Sequence, residues 1–187
     1  SFDLIIITAA TAAANTGKDG GTSTTFPNST NRIAHGSAGA TYAKLLEIVK
    51  FFLDKDFEGD SLSLIIGPKQ VTDFLNLDKI IDNDFARIQD GAIVSPMTSG
   101  YCFTINLGIK INVFVSTQLL TGQNGNASTV RDCLCFPKSG IGLGIGSEVS
   151  VKIAPNPSKN MQTQITTGAI YGASRLNEEA VLVMECS

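Results

Sequence analysis

The sequence predicts an α+β fold in which strands outnumber helices. Three patterns carry this. Apolar residues recur at helical spacing between Thr41 and Asp56. Elsewhere they form short runs or alternate with polar residues, as in Leu62–Ile66 and Ile109–Ser116. The last stretch, Ala180 to Cys186, alternates after the Gly-containing turn at Tyr171-Gly172-Ala173-Ser174-Arg175, as a half-buried strand does.

Taken in order, Leu4-Ile5-Ile6-Ile7 and the alanines after it have the look of a signal peptide. Asp3 precedes them, however, and no Lys or Arg does. From Thr16 to Thr41 the chain is rich in Gly, Ser, Thr and Asn, which predicts a loop or extended arm separating two lobes. Thr41 then offers an N-cap hydroxyl to a helix reaching about Asp56, with Leu45, Leu46, Val49, Phe52 and Leu53 on one face. Phe57-Glu58-Gly59-Asp60 breaks it, and Leu62–Ile66, closed by Gly67-Pro68, reads as a core strand. Pro68 suits the first turn of a second helix ending near Leu77, with Val71, Phe74 and Leu75 as its stripe.

Beyond a polar turn region from Asp78 to Gly91, Tyr101–Leu107 and Ile109–Ser116 read as strands, with only Phe114 breaking the second's alternation. Thr121–Asn126 holds an Asn-Gly turn signal, and Val130–Phe136 is strand-like. Val149, Val151 and Ile153 alternate with polar partners until Pro155-Asn156-Pro157 ends that strand.

Composition narrows the function. The chain has 187 residues, 43% of them hydrophobic, enough for one good core or two small lobes. A net charge of −3 and a pI near 5.1 argue against a basic nucleic-acid surface, so any contact with a genome is expected to be weak and diffuse. Cys102, Cys133, Cys135 and Cys186 are too sparse for a disulfide scaffold and read as buried thiols in a reducing compartment. No run approaches the roughly 18 apolar residues that span a bilayer, so a soluble chain is expected. The sequons at Asn28 and Asn126 read as chance matches in polar loops.

The candidate chemistry is thin. His35 is the single histidine and lies in the polar arm, where a solvated loop residue is the simpler reading than a catalytic base. Cys133 and Cys135 place two thiols on one strand face, but a structural zinc site needs four ligands, and Cys102, Cys186 and His35 lack the spacing. Gly140, Gly142, Gly144 and Gly146 alternate with apolar residues and fit neither phosphate-binding template, so close backbone packing in an extended segment is expected. Asp78, Asp82, Asp84 and Asp90 lack calcium-loop order, and Glu178-Glu179 reads as an exposed acidic pair. No catalytic, cofactor-binding or metal-binding residue is assigned, and no cofactor is expected.

The segment from Tyr171 to Cys186 resembles the closing turn and strand of tailed-phage major capsid proteins with the Hong Kong 97 type of fold. Thr41–Asp54 running into Ser61–Gln70 is similar to that family's central-domain helix, strand and turn. Ile80–Phe85 with Ile88 and Gly91, then Leu107–Ile111 and Val115–Leu120, come in the family's order. The resemblance implies a peripheral domain from 1–34 and 140–187 with an axial domain inserted at 35–139. It implies that Ser1 to Ala14 is the end of the family's spine helix, and that the chain is the remaining part of a longer coat protein. It implies copies associating in rings of five and six into an icosahedral shell around double-stranded DNA, assembled in a bacterial cytoplasm, with scaffolding, portal or decoration proteins as further partners.

Three alternatives stay open at this point. An encapsulin-type bacterial compartment shell shares the fold. A small hydrolase or redox enzyme would have to use Cys133, Cys135 or His35. The Thr/Ser/Asn-rich loops would also suit a β-rich binding or adhesion module.

Overall fold

Thr41 caps the central helix as its sequence predicts: Thr41 Oγ1 accepts from Lys44 N at 3.4 Å, and helix α2 runs Tyr42–Leu53. The computed structural model describes residues 2–16, 18–57, 61–77 and 101–187. Its other elements are α1 (Phe2–Thr11), β1 (Ala14–Thr16), β2 (Thr22–Thr24), β3 (Arg32–Ile33), β4 (Leu62–Ile66), α3 (Pro68–Leu75), β5 (Tyr101–Asn106), β6 (Lys110–Val115), β7 (Arg131–Pro137), β8 (Ile141–Asn156), β9 (Gln162–Arg175) and β10 (Leu182–Cys186). The α+β class and the places of the two middle helices are as expected, with Pro68 in the first turn of α3, but Leu46, Leu53 and Leu75 of the expected apolar stripes are exposed, and Ile48 and Gln70 are buried instead. The expected turn region from Asp78 to Gly91 lies outside the described residues.

Strands β3-β10-β7-β4-β6-β5 form a six-stranded mixed sheet. β10 runs parallel to β3 and antiparallel to β7, while β4 pairs parallel with β6 and antiparallel with β7. Register puts Leu62, Leu64, Ile111, Val113 and Cys135 on one face. They share a core with Leu45, Ile48 and Phe52 of α2 and Phe74 of α3, and all nine side chains are fully buried. On the opposite face Ser63, Ile65, Phe114 and Phe136 line a cavity of about 230 Å³ that Asp3 and Ile6 of α1 also border.

Three expectations need correction. The polar segment from Thr16 to Thr41 is not free of regular structure: β1 and β2 pair as a small antiparallel ribbon and β3 joins the main sheet. Asn31 holds it down, its Nδ2 donating to Glu178 O at 2.6 Å and Val181 O at 3.1 Å. The closing strand is not half-buried, since every residue of β10 is buried. Its polar member, Glu185, meets Arg32 inside the fold, which is why alternation does not mark a solvent face. Glu178 is not a free exposed acid either, because Arg175 Nη2 donates to its Oε1 at 3.0 Å.

The remaining strands, β8 and β9, leave the sheet as a separate two-stranded antiparallel hairpin paired from Ile141↔Arg175 to Asn156↔Gln162. The chain from 140 to 187 therefore divides: 141–175 forms the hairpin, and 182–186 lies in the main sheet between residues contributed from 32–33 and 131–137.

Candidate functional site

The hairpin is the feature most open to partners. Two of its glycines leave room for neighbouring side chains: a Cβ on Gly142 would stand 3.1 Å from Leu176 Cδ1, and one on Gly146 would stand 3.2 Å from Ile170 Cγ2. The tip turns through Pro157–Lys159, with Asn160 and Met161 at φ 49° and 59°. Register opposes Val151 to Thr167 and Ile153 to Ile165, so Val151, Ile153 and Ile165 share one face, with Val149 beside them at the irregularity between Ser147 and Ser150. These four are 65%, 57%, 68% and 66% exposed. A contiguous apolar strip of this kind is uncommon on a surface meant to stay in water. Glu148, Lys152 and Lys159 are the charged residues between Ile141 and Ser174, so little charge opposes contact with another apolar surface.

At its base the hairpin is tied by Arg175, a buried residue. Arg175 Nη1 donates to Ala10 O and Ala12 O, both at 2.8 Å, where α1 ends and its last carbonyls lack helical partners. The guanidinium also stands over the Phe26 ring, 5.3 Å from its centroid.

The side chains with candidate chemistry are held structurally. His35 Nδ1 accepts from Ser37 N at 3.0 Å, the His35 backbone N–H donates to Glu185 Oε2 at 3.3 Å, and its carbonyl accepts from Lys44 Nζ at 3.0 Å. Cys133 and Cys135 share a face of β7 and are buried with Cys186. Burial pushes the Cys135 thiol well up. Cys133 is raised because it is hydrogen-bonded to Cys186 and desolvated, so it stays a thiol. Among the described residues no group of three or more His, Cys, Asp or Glu side chains is placed to hold a metal ion. Asp78, Asp82, Asp84, Asp90 and the Cys102 side chain lie outside the described residues. Glu179 is exposed and reaches Lys55 at 3.9 Å. Among the described residues no helix is long and apolar enough to cross a membrane.

Two buried clusters gave no sequence signal. Arg32 Nη1 bridges Asp132 and Glu185 at 2.8 Å each. Lys44 Nζ lies 2.8 to 3.0 Å from the carbonyl oxygens of His35, Ala38, Gly39 and Glu185, which share its three N–H donors. Their members come from distant parts of the chain, so only an unpaired charge inside an apolar window could have hinted at them.

The described residues form a mixed sheet with a long two-stranded hairpin beside it. A family model for phage capsid proteins matches residues 1–187, and the chain belongs to that family. No curated protein is matched. Among solved structures the chain is similar to the capsid of cyanophage Pam1, with 12% identity and a TM-score of 0.63 over 97% of this chain and 63% of that one. It is similar to the capsid of cyanophage P-SCSP1u, with 15% identity and a TM-score of 0.62 over 98% of this chain and 60% of that one. A structure from Mycobacterium phage Che8 matches at 14% identity and a TM-score of 0.58, over 82% of this chain and 52% of that one. The chain thus spans between half and two thirds of the length of these proteins, and it has their fold, the Hong Kong 97 type. An encapsulin from Synechococcus elongatus matches at 12% identity with a TM-score of 0.52, over 83% of this chain and 52% of that one.

Proposed function

We propose that the chain is the shell-forming part of a phage major capsid protein. Copies associate through heterologous contacts into rings of five and six, which close into an icosahedral head around double-stranded DNA. The observation that carries this reading is the apolar cluster of Val149, Val151, Ile153 and Ile165, exposed on a hairpin and left uncovered by the described residues. Covering it against a neighbour is worth roughly 1.5 to 3 kcal/mol for each side chain fully buried. The work of such a subunit is geometric, and no catalytic step is asked of it. A phage head is favoured over a compartment shell because the family model is that of phage capsid proteins and the cyanophage capsids superpose better than the encapsulin.

The domain division we propose keeps 1–34 and 140–187 as the peripheral part and 35–139 as the axial part in outline, with α1 and the β8–β9 hairpin peripheral and with β3 and β10 reassigned to the axial part, whose main sheet they join. Other partners would be scaffolding, portal or decoration proteins. With a net charge of −3, contact with packaged DNA would be weak and non-specific, and assembly would take place in the host cytoplasm.

The test is to express the complete gene product and examine it by electron microscopy and light scattering. Closed shells or stable rings of five and six support the reading. A discrete monomer or dimer across several salt concentrations overturns it.

A further inference from the structure

Arg175 ends β9 at the point where the hairpin, α1, β2 and the Glu178 turn come together. It is 4% exposed, and its contacts reach each of these neighbours. Nη1 donates to Ala10 O and Ala12 O at 2.8 Å; Nη2 donates to Glu178 Oε1 at 3.0 Å and to Thr24 O at 3.5 Å; the plane lies over Phe26. A planar fork with fixed donor directions fixes the relative orientation of the groups it joins, which a flexible ammonium does not.

The leverage is large. β9 has 14 residues, so at ~3.3 Å per residue it is about 45 Å long, and a rotation of about 10° at its base would move the tip by about 8 Å. α1 packs against both strands near the base, and beyond that contact the hairpin's side chains are mostly exposed, so its direction is settled at the base, where Arg175 sits.

We propose that Arg175 is the positioning residue that sets the angle between α1 and the β8–β9 hairpin, and through it the curvature of the assembled shell. The curvature half rests on the proposed shell-forming function; the angle half does not. A subunit whose contact angle varies only within the small range that rings of five and six require closes at one diameter. A subunit free to vary that angle widely closes at several, or fails to close.

The experiment has two arms on the complete gene product. In the first, spin labels carried by unnatural residues at the exposed positions Thr8 and Lys159 report the distance from α1 to the hairpin tip in unassembled protein. The wild type should give one narrow distribution, and Arg175→Lys a broadened or displaced one. An unchanged distribution in a variant whose Tm has fallen overturns the proposal and leaves Arg175 as a stabilising contact only. In the second arm, particle diameters are measured by electron microscopy. Arg175→Lys should give mixed sizes, tubes or open sheets where the wild type gives one size. A displaced distance distribution with wild-type diameters overturns the link to curvature. If Arg175→Lys does not fold, Glu178→Gln and Phe26→Leu remove one contact each and leave Arg175 in place, with smaller shifts of the same kind expected and unchanged distances counting against the proposal. A wild type that makes no particles removes the shell-forming reading, and the label distances still decide whether Arg175 sets the angle.

Discussion

Arg32 on β3 and Glu185 on β10 form an ion pair 2.8 Å long, buried to 6% and 3% side-chain exposure, across 153 residues of sequence. The same nitrogen reaches Asp132, so two carboxylates share one cation inside the sheet. β3 contributes only two residues to the ladder, so this contact does much to hold the segment before α2 in place. Replacing Arg32 with Met should leave both acids buried without a counter-charge, at a cost of about 3–5 kcal/mol. Urea denaturation at neutral pH measures it, and a loss under about 1 kcal/mol would mean that the pair is open to water.

Asp132 gives that cluster a pH dependence. Burial is the main influence on its carboxyl and raises its pKa above the ordinary 3.8; the Arg32 hydrogen bond and charge oppose this, and Glu185 adds to it. A carboxyl whose pKa rises on folding binds its proton more tightly in the fold than in the unfolded chain. Its contribution is therefore greatest at acid pH, declines as pH climbs from 3.8 through the raised folded value, and levels off above it. Asp132→Asn should flatten this part of the stability curve and leave Arg32 and Glu185 as a one-to-one pair. Urea midpoints from about pH 4 to about pH 7 decide it, and an equal slope in both proteins would assign the dependence to other groups.

Lys44 provides a different kind of hold. The three N–H donors of its ammonium are shared among the carbonyls of His35, Ala38, Gly39 and Glu185, tying the chain before α2 to the last strand. Lys44→Met keeps the aliphatic stem and strips those acceptors of their donor, so a loss of at least about 3 kcal/mol is expected. Lys44→Arg should recover only part of it, because a planar fork cannot point at carbonyls gathered around a single nitrogen. Full recovery by Arg would show that charge alone matters there. Thermal unfolding of the three proteins side by side makes the comparison.

Much of the sheet and both middle helices are legible from local signals, because those signals are local in cause. Thr41 caps the helix directly after it, Pro68 opens the next one, and Leu62–Ile66 is apolar almost throughout because one sheet face is packed against the helices and the other is half-buried. The closing strand misleads for the opposite reason. Glu185 looks like a solvent-facing position until Arg32 is brought beside it from the far end of the chain. The hairpin shows the limit most clearly. Alternation of Val149, Val151 and Ile153 is the same whether the apolar face meets the chain's own core or another molecule, and only the fold shows these side chains left exposed.

That exposed face yields the most direct test of association. Val151 and Ile153 are 57% and 68% exposed, so substituting Asp should change the stability of the unassembled chain by no more than about 0.5 kcal/mol. Between copies the outcome is different. A carboxylate placed in a closing apolar contact must be desolvated without a cation to meet it, which costs several kcal/mol at each contact and is repeated at every copy around a ring. Val151→Asp and Ile153→Asp should therefore fold with an unchanged Tm yet remain small in light scattering, under conditions where the parent assembles. Ile153→Leu, which keeps the apolar surface, should assemble like the parent. If the Asp variants build particles as readily as the parent does, this face points into solvent in the shell, and the contacts between copies lie elsewhere on the subunit.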